Sequence, residues 1–183
     1  MAATESQMIA LNSSAPSFNL LNTVSGKKNI LEDLQSEKAT VILFICNHCP
    51  FVVHINEALV QIAKEYQNIG VSFIAISSND IEKYPADSPE LMTEFAKSNN
   101  YTFPYLYDED QSVAKAYGAE CTPDLFVYNK DMKLAYRGRF DETRPNMGTA
   151  TGSDLKQALD AILKTGSFEE EQLPSIGCGI KWK

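Results

Sequence analysis

Two cysteines three positions apart, Cys46 and Cys49, are the residues of this chain best placed to do chemistry. Side chains three apart on a helix have Cβ atoms about 5–6 Å apart, and a disulfide asks for about 3.5–4.5 Å. A first helical turn therefore needs only a small adjustment to join them. Pro50 follows directly, and a proline is tolerated in a first turn because its missing N–H has no partner there. Unpaired N–H groups and the macrodipole at a helix start favour a negative sulfur. His48, between the cysteines, is a neighbour that can carry positive charge. Thiols in such settings ionise at about 3.5–7.5 instead of ~8.5. The expectation is a redox dithiol in which Cys46 attacks as the thiolate, Cys49 resolves, and His48 tunes the pair. Two other readings compete. The pair could be small core residues, or Cys46, Cys49, His54 and Cys121 could hold zinc. A structural zinc site normally has a second close pair, however, and Cys121 and Cys178 stand alone.

The flanking residues indicate how such a pair would be held. Residues 41–45 are apolar on both alternating faces, as in a central parallel strand. Val52, Ile55, Leu59, Ile62 and Tyr66 then recur at steps of three and four, one face of an amphipathic helix that Gly70 ends. Residues 71–76 form the next strand, so the dithiol falls inside a βαβ unit, right-handed by strong preference. Residues 79–88 read as a loop, and Pro89 opens a helix with Leu91, Met92, Phe95 and Ala96 inward. Residues 101–107 look extended, and Asp110 caps a short helix ended by Gly118. Residues 125–128 and 134–137 are strands of a hairpin, with Arg137 and Arg139 on the solvent side. Ser153 caps a last helix carrying Leu155, Ala158, Leu159, Ile162 and Leu163.

A length of 183 residues, 44% of them hydrophobic, suits one domain with a full core. We divide it into a flexible lead-in (1–15), a domain (16–164) and a tail packing on or near it (165–183). The net charge of −8, with basic residues scattered, argues against nucleic acid and anionic membrane surfaces. The longest apolar run, residues 41–46, is far short of the ~20 that span a bilayer. The first basic residue is Lys27, so the start does not resemble a secretory signal. The expected setting is the reducing cytoplasm, where cysteines serve redox chemistry rather than structural cross-linking.

Strand, C-x-x-C-P, helix, strand, then Thr122-Pro123 before a hairpin and a closing helix, resembles the thioredoxin superfamily over about residues 16–164. The closer resemblance is to its peroxiredoxin-like branch, alkyl hydroperoxide reductase/thiol-specific antioxidant or redoxin. It is carried by residues 46–52, 84–90, 103–106, 118–124, 136–139 and 177–183. The resemblance implies an α/β thioredoxin-like fold, with a central mixed sheet, helices on both faces, an N-terminal extension and a C-terminal tail. It implies a cis peptide bond before Pro123, packed against the dithiol, with Thr122 shaping a substrate groove. In that branch Cys49 falls at the peroxidatic position. The peroxiredoxin pattern P-x-x-x-[ST]-x-x-C would need proline and hydroxyl where this chain has Ile42 and Cys46.

The function expected is therefore thiol–disulfide exchange by Cys46 and Cys49, related to antioxidant activity. Thiol peroxidase chemistry at Cys49 and a non-catalytic metal- or partner-binding module are the alternatives. Electrons would come from a dithiol protein or a small thiol, and the substrate would be a disulfide or peroxide. No organic cofactor or resident metal is implied. Cys121 and Cys178 are candidate auxiliary thiols, and His54 is expected to have no catalytic role. A cation at the second position between the cysteines stabilises the reduced thiolate, so the pair should be more oxidising than thioredoxin's ~−270 mV.

Overall fold

The computed structural model describes residues 3–183. In chain order the strands are β1 (Ala3–Glu5), β2 (Asn19–Asn22), β3 (Lys28–Ile30), β4 (Ala39–Phe44), β5 (Val71–Ser77), β6 (Tyr105–Tyr107), β7 (Cys121–Thr122), β8 (Asp124–Asn129), β9 (Leu134–Gly138) and β10 (Ile176–Gly179). The helices are α1 (Leu31–Leu34), α2 (Pro50–Gln67), α3 (Pro89–Ser98), α4 (Ser112–Tyr117) and α5 (Ser153–Thr165), with a 3-10 turn at Pro85–Asp87.

The apolar run becomes β4, buried at every position and central in a mixed sheet of order β3-β2-β6-β5-β4-β8-β9. β5 runs parallel to it from Ala39↔Val71 to Phe44↔Ile76, and β8 antiparallel from Ala39↔Asn129 to Phe44↔Asp124. Because side chains alternate across a strand, β4 feeds two cores. Val41 and Leu43 pack with Ile55, Leu59 and Ile62 of α2 and Leu155 and Leu159 of α5. Ile42 and Phe44 pack on the opposite face with Val113 and Tyr117 of α4 and Leu31 of α1. Helices thus cover both faces, as expected.

Several elements differ from the sequence reading. Residues 3–15 are tied down: β1 pairs with β10, and Asn12 and Ala15 donate N–H bonds to Leu134 O and Met132 O. Only the last three residues of 101–107 form a strand. Gln111, in a left-handed conformation (φ 63°), takes the N-cap position of α4, while Asp110 Oδ1 accepts from Ser112 N at 2.9 Å. α5 starts at Ser153 behind Gly152, at φ 65°, where a Cβ would lie 2.3 Å from Ile62 Cδ1. The loop over residues 79–88 contains the 3-10 turn.

The largest correction is Arg137, expected on the solvent side and in fact fully buried. The segment at residues 6–7 and residues 172–175 cover β9, which would otherwise be an open sheet edge. The guanidinium donates to Gln7 O (3.0 Å), Gly118 O (3.0 Å) and Asp124 Oδ2 (3.2 Å), and lies over the Phe126 ring at 4.2 Å. Arg139 is half-buried and pairs with Asp154 at 2.6 Å.

Candidate active site

Cys46 lies just beyond β4, and Cys49, not Cys46, occupies the N-cap of α2, with Pro50 in the first turn. The expectation put Cys46 at the helix start; the helix opens one motif-length later because Pro50 is its first residue. Both sulfurs are buried, with Cys46 at 1% and Cys49 at 0% exposure, and all four cysteines are free thiols. Of residues 46–50, only Asn47, His48 and Pro50 present surface.

The peptide bond between Thr122 and Pro123 is cis, as the resemblance implied. Thr122 sits against the dithiol twice: its carbonyl accepts from the Cys49 thiol at 3.0 Å, and its hydroxyl lies 3.5 Å from Cys46 Sγ. Cys178 belongs to the same buried cluster as Cys46 and Cys49. Cys121 is buried outside that cluster; it lies 3.3 Å from Ser6 Oγ and donates to Pro123 O at 3.5 Å.

The two thiols share one negative charge unequally. Hydrogen bonding from the Cys46 thiol pulls Cys49 down to about 5 against the opposing effect of burial, helped by Cys178, Thr122 and the Val52 N–H in the first turn of α2. The same Cys46–Cys49 bond, with burial and the Asp87 charge, drives Cys46 far up. The bond from Cys49 to the Thr122 carbonyl favours a protonated Cys49 and works against this order. It is a single neutral contact, whereas donors to the thiolate are charge-assisted and roughly twice as strong. Cys49 is therefore the first to ionise.

His48 stacks on Tyr84, ring centroids 5.9 Å apart and nearly parallel. Its Nδ1 lies 2.8 Å from Asp87 Oδ2, though off the axis a hydrogen bond requires. Asp87 is fully buried and escaped the sequence reading, because the loop that carries it has no periodic signal. Its carboxylate accepts from Asn47 N (2.8 Å) and Asn79 Nδ2 (2.7 Å), and so anchors the C-x-x-C loop. The only hint was local: Asp87 precedes Ser88-Pro89, a helix start where an acid is expected for capping. Ser88 takes the capping role instead, accepting from Leu91 N. Cys46, His48 and Asp87 have ligand atoms within 4.8 Å of one another, a set that differs from the Cys46, Cys49, His54 and Cys121 weighed for zinc. His54 is engaged elsewhere, 2.8 Å from Thr143 Oγ1. A cavity of about 310 Å³ opens beside Pro123, walled by Phe51, His54, Pro123, Phe140, Arg144 and Ile176, with neither Cys46 nor Cys49 in its lining.

A mixed sheet with helices on both faces, and a dithiol at a helix start facing a cis-proline, define a thioredoxin-like protein. A secreted disulfide oxidoreductase of Mycobacterium tuberculosis shares this fold (TM-score 0.60, 22% identity, 79% of this chain and 95% of that one). Within that class the chain belongs to the AhpC/TSA family, whose model matches residues 11–137. It is 28% identical over 160 residues to thiol-disulfide oxidoreductase ResA of Geobacillus thermodenitrificans, covering 87% of this chain and 82% of ResA. An uncharacterised conserved protein from Geobacillus kaustophilus superposes with a TM-score of 0.97 at 54% identity, over 100% of this chain and 97% of that one.

Proposed function

We propose that this protein reduces and forms disulfides through Cys49 and Cys46, with Cys49 as the attacking thiolate and Cys46 as the resolving thiol. It is an oxidoreductase acting on thiol and disulfide groups, and it resembles in sequence a protein named for that activity. The observation that carries the assignment of roles is Cys49 at the N-cap of α2, its anion favoured by the Cys46 thiol. Attack by the Cys49 thiolate on a substrate disulfide gives a mixed disulfide and releases a substrate thiolate. Cys46 then attacks Cys49, the second substrate thiolate leaves, and the Cys46–Cys49 disulfide remains. The Cys46 proton passes to the departing sulfur.

Thr122 meets the two sulfurs and Pro123, the next residue, lines the cavity, which supports their role in seating substrate. The walls at Phe51, Phe140 and Ile176 suit an apolar flank of a disulfide-bearing substrate. A dithiol protein or small thiol returns the electrons, and the cytoplasm is the setting we assign. A Cys49 that ionises at about 5 stabilises the reduced form, so the midpoint lies above thioredoxin's ~−270 mV. Titration of the pair against glutathione tests this: a midpoint at or below that value rejects it. Turnover of a disulfide substrate, followed beside peroxide consumption, tests the activity. Rapid peroxide consumption without disulfide turnover would replace exchange by peroxidase chemistry.

A further inference from the structure

We infer that Cys178 is a second resolving thiol for Cys49, presented to it by the C-terminal strand. This rests on the reading of Cys49 as the attacking thiolate. β10 runs antiparallel to β7, with Cys178 opposite Thr122 and Gly179 opposite Cys121. Directly opposed residues of an antiparallel pair project to the same face. Cys178 therefore shares the face on which the Thr122 hydroxyl meets Cys46, and Cys121 takes the other face. Thr122 touches all three residues: its carbonyl accepts from Cys49, its hydroxyl lies beside Cys46 Sγ, and that hydroxyl donates to Cys178 O at 3.5 Å.

The close approach is built into the sequence. A Cβ on Gly177 would lie 2.0 Å from Thr122 O, so only glycine lets β10 come this near. β1 holds the strand from its other side, with Ala3 opposite Cys178. Cys178 is buried in the same core cluster as the dithiol, and its thiol and the Cys49 sulfur shift each other's ionisation. Burial first, and then the neighbouring Cys49 sulfur, keep Cys178 protonated, raised to about 12, so it holds its proton until Cys49 has been consumed.

The step is balanced. Once Cys49 is joined to a substrate sulfur, the Cys178 sulfur attacks Cys49. The Cys49–substrate bond breaks, a Cys49–Cys178 bond forms, and the departing substrate sulfur takes the proton that Cys178 gives up. The substrate is reduced by two electrons and the two cysteines are oxidised by two. Cys46 and Cys178 thus compete for one mixed disulfide.

The test uses the full chain carrying Cys46→Ser and Cys121→Ser, treated with the aromatic disulfide 5,5′-dithiobis(2-nitrobenzoate). The expected result is about two equivalents of released aryl thiolate per chain, no retained aryl group by mass, and a Cys49–Cys178 peptide on non-reducing mapping. Adding Cys178→Ser should cut the release to about one equivalent and leave the aryl group on Cys49. A stable aryl adduct on Cys49 beside an unreacted Cys178 in the first variant overturns the inference and leaves the dithiol reading intact. Failure of Cys49 to react at all overturns both. Should the variant not fold, the wild-type chain oxidised with substoichiometric reagent is mapped instead: a Cys49–Cys178 fraction supports the inference, and Cys46–Cys49 alone overturns it.

Discussion

The cis-proline segment separates two buried polar clusters that have been built in opposite ways. On one side, Asp124 and Arg137 are both fully buried and densely bonded, with only Arg137 Nη1 left without a partner. Asp124 accepts from Ser6 Oγ (2.9 Å), Glu120 N (3.0 Å) and Arg137, and the guanidinium has two further carbonyl acceptors. On the other side, three thiols crowd round Thr122 with weak donors, weak acceptors and one shared charge. Paired buried charges hold their geometry, since any departure strands one of them. Thiols at similar depth can exchange bonds at little cost. The contrast separates scaffold from chemistry among residues that burial alone would place together.

The sharpest break in that comparison is Cys49→Ser. It should abolish disulfide turnover to background while moving the urea midpoint little, because a hydroxyl replaces a thiol of similar size. Arg137→Ala should do the reverse, costing about 3–5 kcal/mol in urea unfolding by leaving Asp124 buried and unpaired. Replacing both partners together, Asp124→Leu with Arg137→Met, should cost less than either single change. Turnover exceeding wild type in the remaining folded fraction of Arg137→Ala would contradict a purely structural role.

A smaller effect sharpens the chemical side. Absorbance of the reduced protein at thiolate wavelengths should rise through about pH 5, and the step should vanish in Cys49→Ser. Because the shift is downward, exchange should slow as pH falls through that value and stay level toward neutrality, where an ordinary thiol near ~8.5 would still be gaining rate. Asp87→Asn removes a negative charge that raises Cys46, so the Cys46 thiol should ionise at lower pH, read as an earlier second absorbance step. The smallest effect is expected from His54→Ala: within about 0.5 kcal/mol in stability and only a small change in turnover, since its imidazole bonds the Thr143 hydroxyl at the cavity wall and takes no part in the sulfur exchange.

The central fold and the dithiol were legible in the sequence because both are local signals. An unbroken apolar strand, a three-four periodic helix and a C-x-x-C junction each lie within a few turns of chain. What stayed hidden depends on residues far apart. Arg137 obeys the strand alternation that sends it outward, and only the fold of residues 6–7 and 172–175 over β9 encloses it. Asp87 reaches the C-x-x-C loop across 40 residues, from a loop without pattern. The ionisation order inverted for a related reason: α2 opens at Pro50, after the second cysteine rather than the first, and this hands the helix terminus to Cys49. The pairing of β10 with β7 spans more than 50 residues, and two glycines were its only trace.

That small ribbon of β1, β10 and β7 brings residues 3–5 and 176–179 to the doorstep of the sulfurs. A label, fusion or truncation attached near either of these segments is thereby an intervention at the reactive centre, and a fluorophore there would report each change of oxidation state from within a few residues.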